Sequence, residues 1–208
     1  MSATQPSPVD ILAFGPHPDD VELCAGGLMM LAKQRGQRVV IVDMTRGEAG
    51  TRGTPETRVK EWTAASEMMG LVARENLELP DSFVQVDAAS LDKVSAAIRK
   101  WRPRLVLGPC LEDRHPDHIA GAELVRRAYY AATIAKGPGQ PHPPHRPDAW
   151  VQYYGHLEPE PSFILDISDV WEQRLALAAC YGSQVSPQQQ HELPTNIGAP
   201  DFQRRVES

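Results

Sequence analysis

The chain has 208 residues, 41% of them hydrophobic, with a formal net charge of −6. Such a length suits one domain with a sizeable core, and the acidic balance excludes a general nucleic-acid binder, which would turn a basic surface to phosphates. The opening MSATQPSPVD has neither a basic start nor an apolar stretch, and no apolar run approaches the ~20 residues of a membrane span, so a cytoplasmic protein without a membrane role is expected.

In chain order, Val9 to Phe14 is a short apolar run that reads as a strand. Val21, Cys24, Leu28 and Leu31 follow at spacings of three and four, the period of one helical face, and Gly36 closes that helix. VVIVDM (39–44) is a β-branched run suited to a strand covered on both faces. Thr54 and Pro55 form an N-cap and first-turn pair for a helix to about Met69, stopped by Gly70. Ser90 is read as the cap of a helix through about Trp101, Pro103 as its breaker, and LVLG (105–108) as another buried strand. A helix from about His118 to Ala132, an irregular proline-rich loop (137–148), late strands at WVQYY and SFILDI, and a helix over 170–181 complete the reading. Strands alternating with helices predict a Rossmann-like three-layer α/β fold, with a mostly parallel sheet and helices on both faces. Residues 1–208 are expected to form one domain, with 1–8 and about 183–208 mobile. Cys24, Cys110 and Cys180 are isolated and read as reduced thiols without chemistry.

The loop after the first strand reads FGPHPDD (14–20). Proline followed by two acids is also a common helix start. Yet Asp19 and Asp20 repel each other unless a cation or a proton intervenes, and capping leaves His17 unexplained. The strand at 105–108 is followed by PCLEDRHPDH, which ends at His118 and repeats the histidine–aspartate pattern. In an open parallel sheet, ligands bind outside the carboxyl ends of the strands, where two such loops can converge. Catalytic zinc takes three protein ligands and leaves a position for water. His17, Asp20 and His118 fit that requirement, and Asp19 is left to act on the water.

PHPDD after the first strand and HPDH in the later loop resemble the LmbE/PIG-L family of zinc-dependent N-acetylglucosaminyl deacetylases. TRGEAGTRGTPETR and EDRHPDH are most similar to its bacillithiol-biosynthesis branch, which deacetylates N-acetylglucosaminyl malate. The resemblance implies zinc on His17, Asp20 and His118, Asp19 as general base, His115 as a protonated helper at the oxyanion or leaving group, and Asp117 as the residue orienting His115. It also implies no organic cofactor and a homo-oligomer, trimer or hexamer. The family's Tyr-x-Ser-Gln-Phe appears here as Tyr181, Gly182, Ser183, Gln184 and Val185.

For a malate aglycone with two carboxylates, Arg46 and Arg52 in the glycine-rich loop and Arg114 beside the second motif are candidate anion donors, since arginine forks match carboxylates. The family resemblance adds Arg58. Lone loop histidines rarely ligate, so His142, His145 and His191 are left outside the site, and Tyr181 is read as core. Another N-acylated amino sugar or thiol conjugate would use the same catalytic residues. Zinc itself is open to replacement by another divalent transition metal. A nucleotide-binding module is disfavoured because GPHPDD lacks the GxGxxG turn. A closed structural zinc site is disfavoured because it would need a fourth protein ligand.

Overall fold

The computed structural model describes residues 5–185. Five strands, β1 (Ile11–Gly15), β2 (Val39–Asp43), β3 (Ala73–Asn76), β4 (Leu105–Pro109) and β5 (Ala149–Tyr153), form one sheet in the order β3-β2-β1-β4-β5. Every neighbouring pair is parallel. Leu12, Phe14, Val40 and Val42 face a core shared with Val94 and Ile98 of α3 (Ala88–Trp101) and Leu124 and Val125 of α4 (Pro116–Ala131). Ile11, Ala13, Val39 and Ile41 face the opposite core. There they meet Val21 and Met29 of α1 (Asp20–Gln34), Ala65 of α2 (Pro55–Met69) and Leu177 of α5 (Trp171–Ala179). Each of the valine, leucine, isoleucine, phenylalanine and methionine side chains among them contributes about 1.5–3 kcal/mol when fully buried. Burial on both faces is why β1 and β2 read as continuous apolar runs rather than alternating ones.

Thr54 caps α2 by accepting from the Thr57 N–H, and Gly70 ends it at φ 65°. The cap of α3 is Asp87, not Ser90: the Asp87 carboxylate accepts from the Ser90 N–H at 2.8 Å, so Ser90 sits inside the first turn. α4 starts at Pro116, two residues before the expected His118. β3 has no counterpart in the sequence reading, because AREN carries no apolar signal. It is an edge strand whose Arg74 turns inward, 3% exposed, to pair with Asp43 and Glu22.

SFILDI is not a strand; Phe163 and Ile164 remain 64% and 86% exposed. Its β-propensity finds no ladder to join, and propensity without packing does not make a strand. Ser183 and Gln184, in the short helix α6 (Gly182–Val185), are buried. Residues 186–208 of the expected mobile tail, including His191, lie outside the described residues. No helix among the described residues is long and apolar enough to cross a membrane.

Strand order reverses between β1 and β4, whose carboxyl ends therefore flank a crevice where ligands of open α/β sheets bind. The β1–α1 and β4–α4 loops, which carry His17 to Asp20 and His115 to His118, both lie at this point.

Candidate active site

A cavity of about 230 Å³ in the crevice is lined by His17, Asp19, Asp20, Arg58, Asp81, His115, His118, His156 and Gln184, with Gly47, Ala49 and Gly50 along one side. A larger cavity, about 560 Å³, lies against α1, β5 and residues 161–167 and holds none of these histidines or aspartates.

Asp19 is the N-cap residue of α1, but its side chain makes no capping bond and its φ is 142°. A non-glycine residue in that region costs of order 1–3 kcal/mol and persists only where the surroundings enforce it. Capping therefore does not account for the first aspartate of PHPDD. Its carboxylate lies 3.7 Å from the Arg58 guanidinium, which also donates to the Pro18 carbonyl at 3.3 Å. Gly47 and Gly50 wrap Arg58 so closely that a Cβ on either would stand 2.8 Å and 2.7 Å from its terminal nitrogens.

Asp20 stands between two imidazoles. One oxygen is 3.3 Å from His17 Nδ1 and the other 3.4 Å from His118 Nε2, and the donor atoms of this trio lie within 4.8 Å of one another. Two imidazoles and a carboxylate gathered this closely are a donor set that could hold a divalent metal ion, since catalytic zinc takes three such protein ligands. The electrostatics agree. Burial opposes charge on His17, yet hydrogen bonds to Asp117, Asp20 and Asp81 raise it well above its usual value. His118 is likewise raised, to about 9, as the Asp20 and Asp113 carboxylates outweigh burial. Asp20 is held well below the carboxylate range despite its burial, chiefly by His118. Protons thus gather on two histidines to balance the buried acids, and a divalent ion would replace them. Asp19 is pushed up to about 7 by burial and then by Asp20, with Arg58 pulling the other way.

The far sides of both imidazoles meet further acids. His17 Nε2 is 3.2 Å from Asp81 and 3.3 Å from Asp117; His118 Nδ1 is 3.2 Å from Asp113. Two other trios, His17 with His115 and Asp117, and Asp113 with His118 and His156, have similarly close donor atoms and share these two histidines.

His115 caps α4, its Nδ1 accepting from the Asp117 N–H at 3.2 Å. Asp117 therefore orients His115 through its backbone, while its carboxylate serves His17 and accepts from the Ser82 and Val84 N–H groups. A ring accepting at Nδ1 carries its single proton on Nε2. Burial and the neighbouring His17 and His118 rings also hold His115 below its ordinary pKa. With Nδ1 engaged in this way, Nε2 is the nitrogen His115 can offer as a donor to the cavity.

Of the arginines singled out in the sequence, Arg58 alone lines the cavity. Arg52 is buried and bound to the last described helix: it donates to the Gln184 carbonyl, and its own carbonyl accepts from Gln184 Nε2. Arg46 pairs with Glu78, its side chain 65% exposed, and Arg114 is exposed beside the second motif. Tyr181 is core, donating to Glu22 at 2.6 Å. His145 binds the Pro103 carbonyl, away from the cavity.

Asp81, Asp113 and His156 escaped the sequence reading. Asp113 stands two residues before His115 in the same motif. His156 follows β5, at the carboxyl end of the strand beside β4, a position that becomes meaningful only once strand order is known. Asp81 lies beyond β3, the strand whose charged sequence hid it.

Fold and site together define an α/β protein with a buried histidine–aspartate centre at the switch point of a parallel sheet. The model of the PIG-L family, GlcNAc-PI de-N-acetylase, matches residues 12–129, and the chain belongs to that family. It is 28% identical over 192 residues to a diacetylchitobiose deacetylase of Thermococcus kodakarensis, covering 84% of this chain and 69% of that protein. It is 29% identical over 188 residues to a probable N-acetyl-alpha-D-glucosaminyl L-malate deacetylase 2 of Bacillus cereus, covering 84% and 83%. Among solved structures, a conserved protein from Thermus thermophilus, TT1542, superposes with a TM-score of 0.82 at 40% identity, covering 86% of this chain and 80% of that one.

Proposed function

We propose that this protein hydrolyses the acetamide of an N-acetylglucosamine conjugate, N-acetylglucosaminyl malate of bacillithiol biosynthesis in the cytoplasm, releasing acetate and the free amine. The observation that carries the reading is the placement of the unliganded acid Asp19 beside the His17–Asp20–His118 trio in one cavity. Those three residues would hold zinc or another divalent transition metal. Such an ion supplies a Lewis acid that polarises a carbonyl and makes water a stronger acid.

The protein's own groups do the rest. Asp19, buried and pressed by Asp20, accepts the proton of the attacking water. His115 donates its Nε2–H to the developing oxyanion, its other nitrogen being fixed by the Asp117 N–H. The proton taken by Asp19 is the one the departing nitrogen needs. Arg58, at the cavity wall, offers its guanidinium to a carboxylate of the aglycone. Support for the malate substrate comes from this arginine and from the Bacillus cereus relative.

A second reading, a neutral N-acetylated amino sugar as substrate, is favoured by the engagement of Arg58 with Pro18 and Asp19 and by the chitobiose-acting relative. Acetate release from N-acetylglucosaminyl malate and from neutral N-acetylated sugars separates the two. A rate on the malate conjugate at least tenfold higher is expected, and equal rates would remove the malate assignment. Asp19→Ala should lose turnover on both while keeping about one metal per chain. A homo-oligomer is part of the same proposal and is checked by light scattering.

A further inference from the structure

We infer that Asp113 is a positioning residue of the centre, fixing the ring of His118 so that Nε2 and not Nδ1 faces Asp20; the inference rests on His118 being a metal ligand. A carboxylate has about four acceptor positions, and in Asp113 all four are occupied. One oxygen accepts from the His115 N–H at 2.8 Å and from His156 Nδ1 at 3.0 Å. The other accepts from the His156 N–H at 3.0 Å and faces His118 Nδ1 at 3.2 Å. The side chain is only 2% exposed, so water does not compete for these positions. With no acceptor position left, Asp113 is a hydrogen-bond hub rather than a ligand, although its trio with His118 and His156 has metal-like spacing. Both rings must then donate to it, and a neutral His118 with its proton on Nδ1 presents the lone pair of Nε2 to the centre.

The same hub joins the loops that follow β4 and β5. Gly155, the residue before His156, approaches so closely that an added Cβ would overlap an Asp113 oxygen and lie 3.1 Å from His118 Nδ1. The β5 loop thus buttresses His118 through Asp113, which explains why a histidine far along the chain belongs to the cavity wall.

The test is zinc affinity of the metal-free full chain, measured by chelator competition, for wild type, Asp113→Asn and His118→Ala. The expected result is a loss of zinc by His118→Ala and an affinity about 10- to 100-fold weaker in Asp113→Asn, the usual effect of removing such an outer partner. If His118→Ala loses zinc and Asp113→Asn stays within twofold of wild type, the role of Asp113 is overturned. If His118→Ala binds as wild type does, the ligand assignment itself fails and takes this inference with it. Should Asp113→Asn not fold, nitrogen-15 imidazole spectra of the zinc-loaded wild type decide. A slowly exchanging Nδ1–H on His118 supports the inference, and coordination through Nδ1 or a freely exchanging Nδ1–H overturns it.

Discussion

The Arg58 guanidinium stands 3.7 Å from the Asp19 carboxylate, across the mouth of the β1–α1 loop. This distance lets Arg58 moderate the charge of Asp19 without sequestering it in a tight bidentate pair. Asp19→Asn, nearly isosteric, should leave metal content unchanged and lower kcat by about 10²- to 10⁴-fold, the usual contribution of a positioned base. Metal analysis and steady-state kinetics on the same preparation check both halves.

Substitution of the arginines should split by position. Arg58→Ala is expected to raise KM for a carboxylated substrate roughly 10- to 100-fold, the worth of a lost hydrogen bond to a charged group. Arg46→Ala should change KM less than twofold, because Arg46 is 65% exposed and paired with Glu78 outside the cavity. Equal effects from the two variants would move the anion site outward to the glycine-rich loop.

Removal of the metal should be felt in stability as well as turnover. A chelated sample is expected to be inactive, to recover on addition of zinc, and to melt at a higher temperature as zinc is restored. An ion at ~100 times its Kd adds about 2.7 kcal/mol to a fold that binds it only when folded. His17→Ala and His118→Ala should abolish that shift in differential scanning fluorimetry.

A buried cluster behind the site provides a pH dependence. Arg74 faces both Asp43 and Glu22, and Tyr181 donates to Glu22. One cation serves two acids, and burial pushes Asp43 up to about 6 although Arg74 opposes it. Because the folded state holds this proton more tightly than the unfolded chain, the stabilisation is complete below about pH 4 and is lost as pH rises through about 6. Between pH 4 and 7 the wild type should therefore lose on the order of 2–3 kcal/mol relative to Asp43→Asn. Urea titrations at a series of pH values read this as a difference in slope, whatever the absolute cost of the substitution.

Local chemistry alone marked much of this protein. The buried runs of β1, β2 and β4, the Thr54 cap and Gly70 stop of α2, and the two histidine–aspartate loops each announce themselves within a few residues, because helix caps, period and strand burial are short-range properties. That the two loops could converge outside the carboxyl ends of the strands was also expected from an open parallel sheet, whereas the order that sets β1 beside β4 came from the tertiary structure.

What neighbouring residues could not specify was decided by partners distant in sequence. AREN became a strand because β2 offered it an edge and because Asp43 and Glu22 paired with Arg74, whereas the more strand-like SFILDI found no ladder and stayed exposed. The Asp117 carboxylate faces His17 and the Ser82 and Val84 N–H groups, and only its backbone N–H reaches His115. Asp113 gathered His156 from beyond β5. A carboxylate carries the same charge wherever it lies, so sequence identifies the acids. Which proton each one accepts depends on directions and distances that arise only when the sheet brings the loops together.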